Sequence, residues 1–205
     1  MSIRERYGPD RIIAFSDAVV AIAITVLLLP LAEVEIPHGG TLGDLIRENG
    51  ALLGGLTLSW IIIAVFWLAH HRLFDQVRYF DSLTVRLNFL WMFVIALMPL
   101  PTNILIQSET TTETVAFYVG WMLLTSTILV LIQWHASRTP GMMDAAYLKS
   151  AEAHEAFLRS RLITGVFGIC LLVALVQPNI ALWFLLLQIP VDWVAAKWAA
   201  RTYAP

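Results

Sequence analysis

The chain has 205 residues, 59% of them hydrophobic and 14% charged, with a net charge of −2. Soluble domains average roughly 45 to 50% apolar and about 25% charged residues, so this balance excludes a soluble globular protein and specifies an integral membrane protein, with no nucleic-acid partner expected. A single cysteine, Cys170, excludes an intrachain disulfide and a thiolate metal cluster.

Arg4 and Arg6 precede the first apolar run, Arg11 to Leu31. That run is about 20 residues long, which exceeds the core of a signal peptide, and no A-x-A site follows it, so it is expected to stay in the mature protein. Six runs approach the roughly 17 to 25 residues that a spanning helix needs: 11–31, 50–71, 86–106, 114–135, 160–177 and 180–198. They predict an all-α, polytopic six-helix transmembrane bundle, a single domain over residues 1–205. Pro99 and Pro101 remove backbone donors from the third run and should kink or end it near its far side. Gln177, Pro178 and Asn179 fold the last two runs into an antiparallel hairpin.

The loops give an orientation. Arg4, Arg6, Arg11, Arg72, Arg78, Arg86, Arg138, Lys149, Arg159, Arg161, Lys197 and Arg201 fall on one side, and only Arg47 on the other. The positive-inside rule then places both termini in the cytoplasm. The opposite loops carry Glu33, Glu35, Asp44, Glu48, Glu109 and Glu113. The Ala-rich stretch from Asp144 to Arg161 is expected to extend the fifth helix into the cytoplasm. Trp121, Trp183, Trp193, Trp198 and Tyr203 read mostly as an aromatic belt at the membrane surfaces.

Enzyme chemistry has little to stand on. The chain contains no G-x-S-x-G, P-loop or H-E-x-x-H motif. His70 and His71 are adjacent and point about 100° apart on a helix, so they cannot share one metal with ordinary geometry. No enzyme activity, cofactor or resident metal is expected.

The first run is more informative. An acid at membrane depth costs on the order of 3 kcal/mol, so Asp17 needs a polar partner or a water-filled path. At about 100° per residue, Phe15, Ala18, Ile22, Thr25, Val26 and Leu29 share one stripe, and Asp17 lies about 140° from Ile22. Asp17 therefore faces the bundle, where Trp67, His70 and Asn88 are available. The Ile22 stripe, with one hydroxyl at Thr25, reads from composition either as a helix–helix seam or as the lining of a path.

Arg11-x-x-x-Phe15-Ser16-Asp17, followed by Ala21-Ile22-Ala23-Ile24-Thr25, resembles the signature of the endolysosomal potassium channel family and its bacterial homologues. Phe66-Trp67-Leu68-Ala69-His70-His71-Arg72-Leu73-Phe74, Leu87-Asn88 and Pro99 resemble that family's second and third helices. The resemblance is specific over the first half of the chain and rests on helix count and orientation in the second. The residue after the Phe-Ser-Asp triplet, often glycine in the family, is Ala18 here.

The resemblance implies six helices per subunit, a homotetramer in the bacterial inner membrane, potassium as the permeant ion, and a pore lined by the first helix. Position by position it implies that Ile22 forms the hydrophobic constriction, Thr25 a hydroxyl layer and Leu29 the next apolar layer, with Val26 beside them. It implies that Arg11, Phe15, Ser16, Asp17, Trp67, His70 and Asn88 support the pore by tying the first helix to the second and third. On a straight helix Arg11 shares the azimuth of Ile22, so it joins that network only if the helix begins or bends near it.

The physics agrees with such a pore. A narrow ring of Ile22 side chains gates by dewetting, and a Thr25 ring replaces part of a cation's hydration. Helix C-termini followed by Glu33 and Glu35 concentrate cations at the outer mouth. Discrimination of potassium from sodium is implied by the resemblance alone. The alternative reading is a proton-coupled transporter with Asp17 and His70 as a relay.

Overall fold

The first helix, α1, spans Pro9–Leu27 and carries Asp10 in its first turn, where a carboxylate opposes the positive end of the helix dipole. Ser16, Val20, Ala23 and Leu27 recur at spacings of three and four residues and form its buried face. Pro30 has no N–H to continue the α-helical ladder, and the chain tightens into a 3-10 turn over Leu29–Glu33. In this computed structural model the described residues are 9–35, 40–185 and 197, and every regular element among them is helical.

A short helix, α2 (Leu42–Glu48), follows, capped by a reciprocal pair in which Thr41 accepts from the Asp44 N–H and Asp44 accepts from Thr41. The Thr41 backbone and hydroxyl donors hold the Asp44 carboxyl below its ordinary range. The long helix α3 (Gly50–Phe74) returns across the bundle. It approaches a later segment closely at Gly55, where an added Cβ would meet Ile106 Cγ1 at 2.6 Å.

The third run is two helices, α4 (Ser82–Ala96) and α5 (Pro99–Gln107). It begins at Ser82 because Asp81 caps it by accepting from the Thr84 N–H at 2.8 Å. Prolines 99 and 101 remove the donors that would bind the Ile95 and Leu97 carbonyls. Met98 and Leu100 take those acceptors over instead, each at 3.0 Å. That leaves the Val94 carbonyl without its helical partner, and the Trp121 indole N–H donates to it at 3.0 Å. Trp121 is therefore a half-buried pin for the helix break rather than a belt residue. Trp183, in contrast, is 73% exposed, while Trp193, Trp198 and Tyr203 lie outside the described residues.

The helix α6 (Thr112–Arg138) is the axis of the bundle, with half of its most apolar window buried against 11% for α8 (Ala151–Ala174). Tyr118, Met122, Ile132, Trp91 and Phe167 pack fully buried around it. Polar pins join it to its neighbours: the Ser59 hydroxyl on α3 lies 2.9 Å from the Tyr118 hydroxyl, and Thr102 on α5 lies 2.9 Å from Ser59. Between α6 and α8 runs a single turn, α7 (Ala145–Leu148), after Gly141, whose φ of 76° favours a residue without a Cβ. Ser150 caps α8, which accounts for its start at Ala151, well before residue 160. A last helix, α9 (Pro178–Phe184), opens with proline at its first turn.

Among the described residues five spans, Asp10–Glu33, Gly50–Phe74, Ser82–Gln107, Thr112–Arg138 and Ala151–Ala174, are long and apolar enough to cross a membrane. The sixth expected run, 180–198, lies outside the described residues from 186 onward, residue 197 excepted.

Candidate functional site

Two faces of α1 have opposite fates. On the inner face Ser16 is fully buried against α4. His70 Nε2–H donates to Asn88 Oδ1 at 2.8 Å, Asn88 Nδ2 donates to Ser16 Oγ at 2.9 Å, and the Ser16 hydroxyl donates to the Ile12 carbonyl at 2.9 Å. These three bonds run in one direction, with Asn88 and Ser16 each accepting one bond and donating the next, His70 only donating and the Ile12 carbonyl only accepting. They fasten α1 to α3 and α4 at one rotation. Because His70 and Asn88 are fully buried, removing a partner would strand a polar group away from water.

Asp17 is bonded separately. It accepts from the Trp67 indole N–H at 2.8 Å, and Trp67 stacks on His71 with ring centroids 5.4 Å apart. Among the described residues no hydrogen bond joins Asp17 to His70. The sequence offered Trp67, His70 and Asn88 to the acid; the fold gives Trp67 to Asp17 and the other two to its neighbour Ser16. His70 is further held between Phe74 and Trp91, each with ring centroids 4.2 Å from its own. Sequence reasoning passed over Trp91, although the spacings of three from Asn88 to Trp91 and four from His70 to Phe74 place each pair on one helix face.

The outer face of α1 is bare. Ile22 is 62% exposed, with Val26, Phe15 and Thr25 exposed beside it, and Leu29, in the 3-10 turn just past the end of α1, is 63% exposed. The Thr25 hydroxyl donates to its own Ile22 carbonyl at 2.8 Å, which fixes the hydroxyl and leaves its oxygen lone pairs available to a cation. Phe15, a candidate support residue, lies on this bare face, its ring tilted against Phe89 at 6.2 Å. Arg11 is exposed in the first turn of an unbroken helix, on the side of the bare stripe. Glu33 and Glu35 are exposed at the end of the segment.

The arrangement defines a class: a polytopic α-helical membrane protein whose first helix is locked by a buried polar chain on one face and presents an apolar, hydroxyl-bearing stripe on the other. The comparisons with known proteins narrow it. Residues 11–99 match the family described as endosomal/lysosomal potassium channel TMEM175. A potassium channel of Streptomyces collinus is 32% identical over 141 residues, covering 65% of this chain and 67% of that one. A potassium channel of Chamaesiphon minutus is 35% identical over 109 residues, about half of each chain (50% and 52%). The chicken endosomal/lysosomal proton channel TMEM175 is 33% identical over 92 residues, and the match spans only 18% of its length. The fold is similar to the crystal structure of the TMEM175 homologue from Chamaesiphon minutus, described as a lysosomal potassium-selective channel homologue, with a TM-score of 0.67 at 23% identity over 95% of this chain and 97% of that one. The chain belongs to the TMEM175 family of ion channels.

Proposed function

We propose that four copies of this chain form a potassium-permeable cation channel in the bacterial inner membrane, with α1 of each copy lining the conduction path. The observation that carries this reading is the bare stripe of Ile22, Thr25, Val26 and Leu29 on a helix whose other face is locked by buried polar bonds. One such helix encloses nothing, whereas four around an axis close a narrow path. A ring of Ile22 side chains forms the constriction, impassable to hydrated ions when dewetted, and Thr25 oxygens beside it replace part of a potassium ion's hydration. Glu33 and Glu35 enrich cations at the outer mouth, and this favours cations over anions. Ser16, Asp17, Trp67, His70 and Asn88 set the rotation of α1 and do not touch the ion. The spans, 180–198 included, act as one subunit with both termini in the cytoplasm, as the loop charges favour.

Purified channel in liposomes tests the assignment. Ile22→Ala widens and wets the constriction, so potassium flux rises several-fold and the preference for potassium over sodium weakens. An unchanged flux and preference would remove Ile22 from the path. In the same assay the reversal potential follows the potassium gradient at fixed pH; a potential that moves with the proton gradient at fixed potassium would favour a coupled carrier instead.

A further inference from the structure

Away from α1, a cavity of about 400 Å³ opens between α3, α6 and α8 at the end of the bundle where the loop charges place the cytoplasm. Its mouth carries two guanidinium groups, Arg72 and Arg159, and three carboxylates, Asp75, Glu152 and Glu155. Its floor is neutral and polar, with the Ser160 hydroxyl donating to Gln133 Oε1. Toward the membrane interior the cavity shares Ala69, Leu73, Gln133, Ser160 and Ile163 with a narrow, mainly apolar slot of about 40 Å³ lined also by Val65, Phe66, Leu129 and Ser126. Phe66 meets Phe167 at 5.7 Å near the inner end, where α3 and α8 come together. From Arg72 to Val65 is seven residues of helix, or about 10 Å along the axis of α3.

We propose that this groove binds one phospholipid per subunit, with a primary-ammonium headgroup of the phosphatidylethanolamine type at the charged mouth and the start of an acyl chain in the apolar slot. The charge balance selects the headgroup. Three carboxylates, one of them Asp75 with His71 Nε2 at 3.7 Å, against two guanidinium groups leave the mouth net negative by one, and a headgroup with only an anionic phosphate deepens that imbalance. A phosphate on Arg72 and Arg159 together with an ammonium on the acids satisfies both signs. A primary ammonium donates three hydrogen bonds to those carboxylates, whereas a trimethylated one donates none. Tyr147 borders the same mouth, and burial together with the nearby Glu152 charge pushes its phenol above the ordinary value against the opposing pull of Arg159, which places the phenol within the field of both signs. The inference rests on the membrane placement of the chain and not on the pore assignment.

Full-length protein is stripped of lipid in detergent, mixed with equal amounts of dioleoyl phosphatidylethanolamine, phosphatidylcholine or phosphatidylglycerol, and weighed by native mass spectrometry. The expected result is one retained phosphatidylethanolamine per subunit, about tenfold preferred over the other two. Ala156→Trp, which fills the groove, abolishes that retention, and the double change Arg72→Gln with Arg159→Gln lowers retention of phosphatidylethanolamine. Equal retention of the three lipids by the parent protein, or retention untouched in Ala156→Trp, overturns the proposal. The ranking on the unaltered protein decides even if a variant fails to fold. Lipid retention in a protein that passes no potassium would sink the pore reading and leave this one standing.

Discussion

Ser16 and Asp17 stand side by side and do different work. Ser16 closes a buried chain of donors and acceptors through Asn88 to His70, while Asp17 receives one indole N–H from Trp67. An acid that only accepts a hydrogen bond can be replaced by its amide, which keeps an acceptor oxygen of the same shape. Asp17→Asn should therefore hold potassium flux within about twofold of the parent, because the Trp67 contact survives. Asp17→Leu strands the half-buried indole N–H and should lower both the thermal midpoint and the yield of assembled protein, at a cost of about 1 to 3 kcal/mol. If Asp17→Asn abolished conduction while leaving stability intact, the acid would be moving protons rather than bracing the helix.

At the scale of elements, the break between α4 and α5 shows how a sequence signal and its structural consequence can part company. Pro99 and Pro101 announce a break, but nothing in their spacing names the partner that receives the freed Val94 carbonyl. Trp121, 27 residues away, supplies it, and its indole N–H is the part of the side chain that matters. Trp121→Phe keeps the ring and loses that donor, so the thermal midpoint should fall by the equivalent of about 1 kcal/mol with no change in helix content by circular dichroism. A variant as stable as the parent would mean that water serves the carbonyl equally well.

The same distinction explains what was legible in the sequence. Apolar runs of spanning length and the loop charges carry the all-α membrane fold, and the azimuths of α1 separate Asp17 from Ile22, because a helix has one dominant period. Periodicity sorts faces without pairing side chains across helices. It therefore could not decide that Asn88 meets Ser16 and leaves Asp17 to Trp67, nor that Trp91 would close over His70. Boundaries moved for a related reason: Asp81 and Ser150 cap α4 and α8 earlier than hydropathy suggests, since a cap is set by one hydrogen bond and not by an average.

For the molecule as a whole, the loops that follow α3 and α6 are joined by a latch between segments far apart in sequence. Arg78 pairs with Asp144, the Arg78 N–H donates to the Met142 carbonyl at 2.8 Å, and the Tyr79 hydroxyl donates to the Pro140 carbonyl at 3.1 Å. His135, near the end of α6, lies 2.8 Å from Asp81, the residue that caps α4. Burial raises the Asp81 carboxyl, but the Thr84 donors and His135 outweigh it and hold it below its ordinary range; the Ala146 N–H and Arg78 do the same for Asp144. A carboxylate depressed in the folded state contributes stability above its unfolded pKa of about 3.9 and loses it as the pH falls through the lower folded value. The carboxylate contribution to the latch should thus be fully present at neutral pH and begin to be lost only below about 4, as the pH falls toward the lower folded values. Asp81→Asn isolates the His135 contribution, because asparagine caps a helix about as well as aspartate. Thermal midpoints recorded in detergent from pH 7 to 3 should show the variant below the parent at pH 7 and the gap narrowing as the pH falls below about 4, where the parent's carboxylate begins to take up its proton. Parallel curves over that whole range would mean that the ionised form of Asp81 adds nothing to the latch, leaving the cap and the buried Met142 and Met143 side chains to hold the two loops together.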